Sequence, residues 1–156
     1  MRSLALALAL AATAPLVLNG CGPKTNLRRD DKEKTLLDDS VRLYWEAYRW
    51  GDEERAGAFI ESSGDRVLFK DWLLEHKEHH RIEEATVLQV VMTPELETPD
   101  EDGTLRRATA YVRTRGYTYP EQILETERVE QGWYRTVQGW FVEWDRDTTM
   151  TGDDGR

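Results

Sequence analysis

Three histidines in one short charged stretch are the first candidates for chemistry in this sequence. The segment EHKEHHRIEE places His76, His79 and His80 ahead of Glu83 and Glu84. On a helix, His76, His80 and Glu83 would project to one side, a geometry that can hold Zn²⁺. The spacing is not the H-E-x-x-H of zinc proteases, and cationic side chains also suit the end of a helix. We therefore expect three solvent-facing histidines, no metal site and no cofactor.

Two arginines alternate with tyrosines farther along the chain, in the segment YVRTRGYTY. On the concave side of a curved sheet, Arg113 and Arg115 would bind an anionic ligand, because the guanidinium fork matches carboxylate and phosphate. On the convex side they would form a solvated face, paired with Glu125 and Glu127 of the next strand. We expect the second arrangement.

Large aromatic side chains mark a candidate ligand-binding site. Tyr44, Trp45 and Tyr48 recur at helical spacing, and Trp140 and Trp144 share one face of a later segment. Such spacing is typical of a packed core, and the same rings can also line a partly open pocket. We take Tyr44, Tyr48, Trp140 and Trp144 as the ligand-binding candidates. The predicted inward strand positions hold Ala, Val, Thr and Trp, without Asp or His, so no catalytic residue is assigned.

Three helices are predicted to precede the strands. Apolar residues at helical spacing predict a helix over residues 35–50, and Gly51 is a natural stop because it adopts left-handed backbone freely. Asp52 is placed to cap a second, short helix. After the turn signal SSGD, residues 67–69 are predicted to be extended and residues 71–78 helical.

From residue 83 onward the apolar period becomes two, which predicts strands. The predicted strands cover residues 84–93, 104–119, 122–130 and 133–144, with an acidic loop after the first and a Gln-Gly turn at 131–132. Helices and strands thus occupy separate parts of the chain. This order predicts an α+β fold, with helices packed on one face of an antiparallel sheet.

The amino-terminal residues predict export and a lipid anchor. Arg2 precedes an apolar run of about fifteen residues, shorter than the roughly 20 that a transmembrane helix needs. The run ends in Leu18-Asn19-Gly20-Cys21, which resembles the lipobox of bacterial lipoproteins. The resemblance implies cleavage before Cys21 and acylation of this cysteine. In a host with two membranes, Gly22 in place of an aspartate implies sorting to the outer membrane, facing the periplasm.

Four segments follow from this reading. They are a signal peptide (1–20), the lipidated Cys21 with a flexible tether (21–34), a folded domain (35–146) and a disordered acidic tail (147–156). Cys21 is the only cysteine, so no disulfide is available to the domain. The net charge of −9 argues against nucleic-acid binding, which needs a basic surface. The expected partners are the lipid bilayer, through Cys21, and an envelope protein or an apolar small molecule.

The domain carries a second resemblance. A helix ending in YRWGDEERAGAFI, followed by strands that close with GWYRTVQGWFVEW, resembles the nuclear transport factor 2-like superfamily over residues 35–146. The resemblance implies a cone, in which a long helix packs into a curved antiparallel sheet with a pocket at the open end. Because one fold hosts many functions, two alternatives remain. We expect a non-catalytic domain that binds a ligand or a protein. The alternative is a small pocket enzyme, of isomerase or hydro-lyase type, acting on an apolar molecule.

Overall fold

The computed structural model describes residues 24–120 and 122–145, with side chains from residue 28 onward. The predicted signal peptide, Cys21 and the tail over 147–156 lie outside the described residues. Helices precede strands in the order α1 (Lys24–Trp50), α2 (Glu53–Gly57), α3 (Ser63–His79), β1 (His80–Met92), β2 (Arg106–Thr118), β3 (Ile123–Arg135) and β4 (Trp140–Val142). This confirms the predicted α+β class. Within the described part of the chain, no helix has the length and apolar character that crossing a membrane requires.

Helix α1 begins at Lys24, so the prediction of a flexible tether over residues 21–34 is wrong from Lys24 onward. The reason is a buried ion-pair network. The Glu33 side chain is only 8% exposed and accepts from Arg106 Nη1 at 2.8 Å, and Arg135 Nη1 lies 3.2 Å from the same carboxylate. Arg106 also donates to Asp30 at 3.0 Å. Because both arginines come from distant strands, the local sequence of residues 24–34 looks solvated although it packs on the sheet.

The helix ends follow local capping chemistry. Gly51 ends α1 with φ +64°, and the Asp52 side chain accepts from a first-turn amide of α2, both as predicted. Ser62 caps α3 in the same way, so SSGD begins a helix and residues 67–69 are helical rather than extended. The ring of Phe69 is fully buried as a result.

The sheet is antiparallel, with strand order β1-β2-β3-β4. Two register shifts in β1, at Ile82/Glu84 and Val87/Gln89, are β-bulges, which bend a strand and increase its twist. The predicted Gln-Gly turn at 131–132 is wrong, because both residues pair with β2 inside a continuous β3. The chain reverses instead between Thr136 and Gly139, where φ is +151°.

The core lies between the inner face of α1, helix α3 and one face of the sheet. The prediction that inward strand positions hold Ala, Val and Thr is confirmed in β2, where Ala108, Ala110, Val112 and Thr114 are all buried. The largest fully buried side chain is Trp133, on β3. The helices cover one part of the concave face. The start of β1, the end of β2 and the start of β3 are left open.

Candidate functional site

A cavity of about 590 Å³ occupies this open end of the sheet. Its inner wall comes from α1 (Tyr44, Trp45 and Tyr48), and α3 contributes Trp72 and His76. The segment after β4 contributes Trp144. The start of β1, the end of β2 and the first part of β3 complete the wall. The volume is within the range of about 300–1,000 Å³ that small-molecule sites occupy. The arrangement is a concave surface with an aromatic inner wall that is open on one side.

Gln131 organises the inner wall. Its Oε1 atom accepts from Trp45 Nε1 and from Trp133 Nε1, both at 3.1 Å, so one amide holds two indole rings. Burial raises the pKa of Tyr44 above its ordinary range, opposed by a hydrogen bond with Gln131. Sequence reasoning missed Gln131 because Gln-Gly is typical of a turn. The signal that would have found it is its place two residues before Trp133, on the same face of a long strand.

A ladder of stacked rings forms the α3 side of the cavity. Trp72 stacks on His76 with centroids 4.6 Å apart, and His76 stacks on His80 at 4.2 Å. Burial, with repulsion from His80 and His79, lowers the pKa of His76 to about 4, so this imidazole is neutral at pH 7.

The histidine prediction needs one correction. His79 and His80 are exposed as predicted, but His76 is partly buried and lines the cavity. The reason is that α3 passes directly into β1 at His80, which brings the two rings into contact. Among the residues that the structure describes, no group of three or more His, Cys, Asp or Glu is arranged to hold a metal ion.

The strand register separates the two arginines from the glutamates predicted to pair with them. Arg113 lies opposite Arg128, and Arg115 lies opposite Thr126. Both arginines are exposed, on the face of the sheet that turns away from the core. The nearest carboxylate to Arg113 is that of Glu84 on β1, at 4.0 Å. The convex placement is as expected, whereas the expected partners are wrong.

Glu125 and Glu127 lie instead on the concave face. Glu127 pairs in register with the buried Thr114, and Glu125 pairs with Gly116. Residues directly opposite each other in an antiparallel pair share a face of the sheet. Both glutamates line the cavity and are solvent-exposed. The open end of the cavity is therefore acidic, which the predicted inward face of Ala, Val, Thr and Trp did not include.

Three of the four ligand-binding candidates meet at the cavity, namely Tyr44, Tyr48 and Trp144. Trp140 does not line it. This ring is 7% exposed and belongs to the core, opposite Arg135 in the β3–β4 register. Trp144 Nε1 is buried without a hydrogen-bond partner in the described structure, which leaves one polar donor at the cavity unsatisfied.

No protein-family model and no curated protein matches this sequence. Among solved structures, a SEC-C motif containing protein from Rhodopseudomonas palustris is 14% identical, with a TM-score of 0.54 over 77% of this chain and 84% of that one. A protein provisionally assigned as a polyketide cyclase, from Xanthomonas campestris pv. campestris, is 17% identical, with a TM-score of 0.41 over 75% of this chain and 96% of that one. At these identities the first likeness concerns the fold alone.

Proposed function

We propose that this chain is an exported lipoprotein, anchored through Cys21 in the outer membrane, whose domain binds a small ligand or a protein segment without catalysis. The observation that carries the binding role is the 590 Å³ aromatic cavity at the open end of the sheet. Side chains that only completed the core would fill this space, because protein interiors pack to high density.

The anchor is supported by the sequence Leu18-Asn19-Gly20-Cys21 at the end of the apolar run. Two or more acyl chains on one residue give stable membrane attachment, at about 0.8 kcal/mol for each buried CH₂. The test compares wild type with Cys21→Ser in cells fed a labelled fatty acid. The wild-type chain should carry the label and stay with membranes in high salt, and the variant should do neither. An unlabelled wild type with a variant that remains on membranes contradicts the anchor.

The binding role is tested by tryptophan emission. The full chain, held in a nonionic detergent, is titrated with a panel of small apolar molecules, organic ions and hydrophobic peptides. A ligand that enters the cavity should shift the emission saturably. The shift should fall in Trp144→Phe, at the cavity, and persist in Trp50→Phe, whose ring is 69% exposed outside it. A flat response to the whole panel contradicts a binding cavity.

One observation favours the alternative, a pocket enzyme of the isomerase or hydro-lyase type. His76 is a partly buried imidazole in the cavity wall, and histidine is the side chain that most often acts as a general acid or base. The alternative predicts that ketones bound in the cavity exchange α-protons with D₂O, measured by NMR, and that His76→Gln abolishes the exchange. Binding without exchange in wild type leaves the non-catalytic role.

A further inference from the structure

The acidic pair, Glu125 and Glu127, places negative charge at the open end of the cavity. Both side chains project from the concave face at the open end of the cavity. Among the described residues, no Lys, Arg or His lies within ion-pair distance of either carboxylate. Burying a carboxylate against an uncharged ligand without a partner is costly. The acidic pair therefore disfavours a purely apolar ligand and opposes an anionic one.

The residues beside the acidic pair leave room for a charged group. The positions across the strand are Thr114 and Gly116, which are small. A Cβ atom at Gly116 would overlap the carbonyl oxygen of Arg81. No larger side chain is accommodated at this point of β2 without moving the backbone, so residue 116 adds no side chain beside Glu125.

Apart from the acidic pair, the charged side chains that line the cavity add no unpaired positive charge. Five carboxylates line it against one guanidinium, that of Arg81. Arg81 is already paired with Glu83 at 3.1 Å. Glu143 is likewise paired, with Arg107 at 2.6 Å. Neither ion pair neutralises Glu125 or Glu127, so the negative charge of the acidic pair is available to a ligand.

Aromatic rings face the same space. Tyr48, Trp72 and Trp144 line the cavity together with Tyr44 and Trp45. The face of an aromatic ring carries negative electrostatic potential, strongest for tryptophan, and attracts cations. His76 adds no positive charge at neutral pH. The net charge of −9 also draws cations toward the chain at low ionic strength.

We propose that the cavity binds an organic cation, with a quaternary or protonated amine held between the aromatic wall and the carboxylates of Glu125 and Glu127. The inference rests on the proposed ligand-binding function and specifies the charge of its ligand. An apolar body attached to the amine would lie against the inner aromatic wall, near Tyr44 and Trp45.

The test uses three probes of nearly equal shape. Choline carries a trimethylammonium group, its neutral analogue has a tert-butyl group instead, and the corresponding tert-butyl carboxylate is an anion. Each is titrated against the full chain at fixed salt, and binding is followed by tryptophan emission and by line broadening of the probe's methyl NMR signal. Choline should bind at least about tenfold more tightly than the neutral analogue, and the anion should not bind.

A matched pair of double variants locates the charge. Glu125→Gln with Glu127→Gln should weaken choline about tenfold and leave the neutral analogue unchanged. Glu97→Gln with Glu101→Gln removes the same charge at exposed loop positions and should change choline binding little. Melting curves of both variants check that the fold is intact.

The outcomes separate the two proposals. Equal affinity for choline and its neutral analogue, or equal weakening by the two double variants, overturns the cation inference and keeps the binding cavity. Binding of the anion alone also overturns it. If none of the three probes binds and the wider panel is flat as well, the ligand-binding function itself fails.

Discussion

Replacing Glu33 by alanine tests whether the first turns of α1 are held to the sheet. The Glu33 carboxylate lies 2.8 Å from Arg106 Nη1, and 3.2 Å from both Arg135 Nη1 and Arg29 Nε. Removing one partner of a buried ion pair typically costs about 3–5 kcal/mol, because a charge is left uncompensated. Here Arg106 keeps Asp30 and Arg135 keeps Glu95. We therefore expect the low end, about 3 kcal/mol.

This loss converts to a large change in melting temperature. The described domain has about 120 residues, and at about 2.1 cal/mol/K for each residue its unfolding entropy is about 0.25 kcal/mol/K. A loss of about 3 kcal/mol then lowers Tm by about 12 °C. Calorimetry or circular dichroism of the purified chain measures this shift. Deleting residues 24–34 should lower Tm further, since Asp30 and Arg29 are lost as well.

The matched control is Glu46→Ala. Glu46 is also on α1, so the change in helix propensity is the same, but its side chain is 52% exposed and lies 4.0 Å from Arg55. Exposed pairs contribute about 0–1 kcal/mol, so Tm should fall by no more than about 4 °C. Equal shifts for Glu33→Ala and Glu46→Ala would refute the reasoning, because the buried network would then add nothing beyond helix propensity.

Three further changes are expected. Stability should rise with pH between about 4 and 6.5, because the folded chain keeps His76 neutral while the unfolded chain binds a proton there. Allowing for partial exposure, His76 contributes about 1.5 kcal/mol to this rise in the free energy of unfolding. Urea unfolding at several pH values should show that the contribution is lost in His76→Gln and kept in His79→Gln. Phe69→Ala removes a fully buried ring and should cost about 3–5 kcal/mol by urea unfolding at pH 7; a loss below about 1 kcal/mol would contradict the packing. Gly116→Ala should lower Tm because its Cβ meets backbone, whereas Gly64→Ala, near only the Ser62 hydroxyl, should not.

Local features of the sequence were sufficient for the class of fold and for many element ends. Helical spacing and Gly51 predicted the end of α1, and period-two alternation predicted the buried face of β2. These signals are local, because each depends on neighbours within one turn or one strand. The aromatic candidates followed from the same rule, and Tyr44, Tyr48 and Trp144 do line the cavity. The motif at Cys21 is equally local, and it remains a prediction.

Tertiary structure alone decided which side chains meet. The sequence around Glu33 predicts a solvated segment. In the fold, Arg106 and Arg135 contact its carboxylate from strands far along the chain. A shift of one residue in strand register would move Glu125 and Glu127 to the other face of the sheet, because successive side chains of a strand point to opposite faces. The turn predicted at 131–132 ended β3 too early. The register of β3 with β2 could therefore not be derived from the sequence. The charge of the cavity thus depends on long-range pairing, which no local pattern of residues encodes.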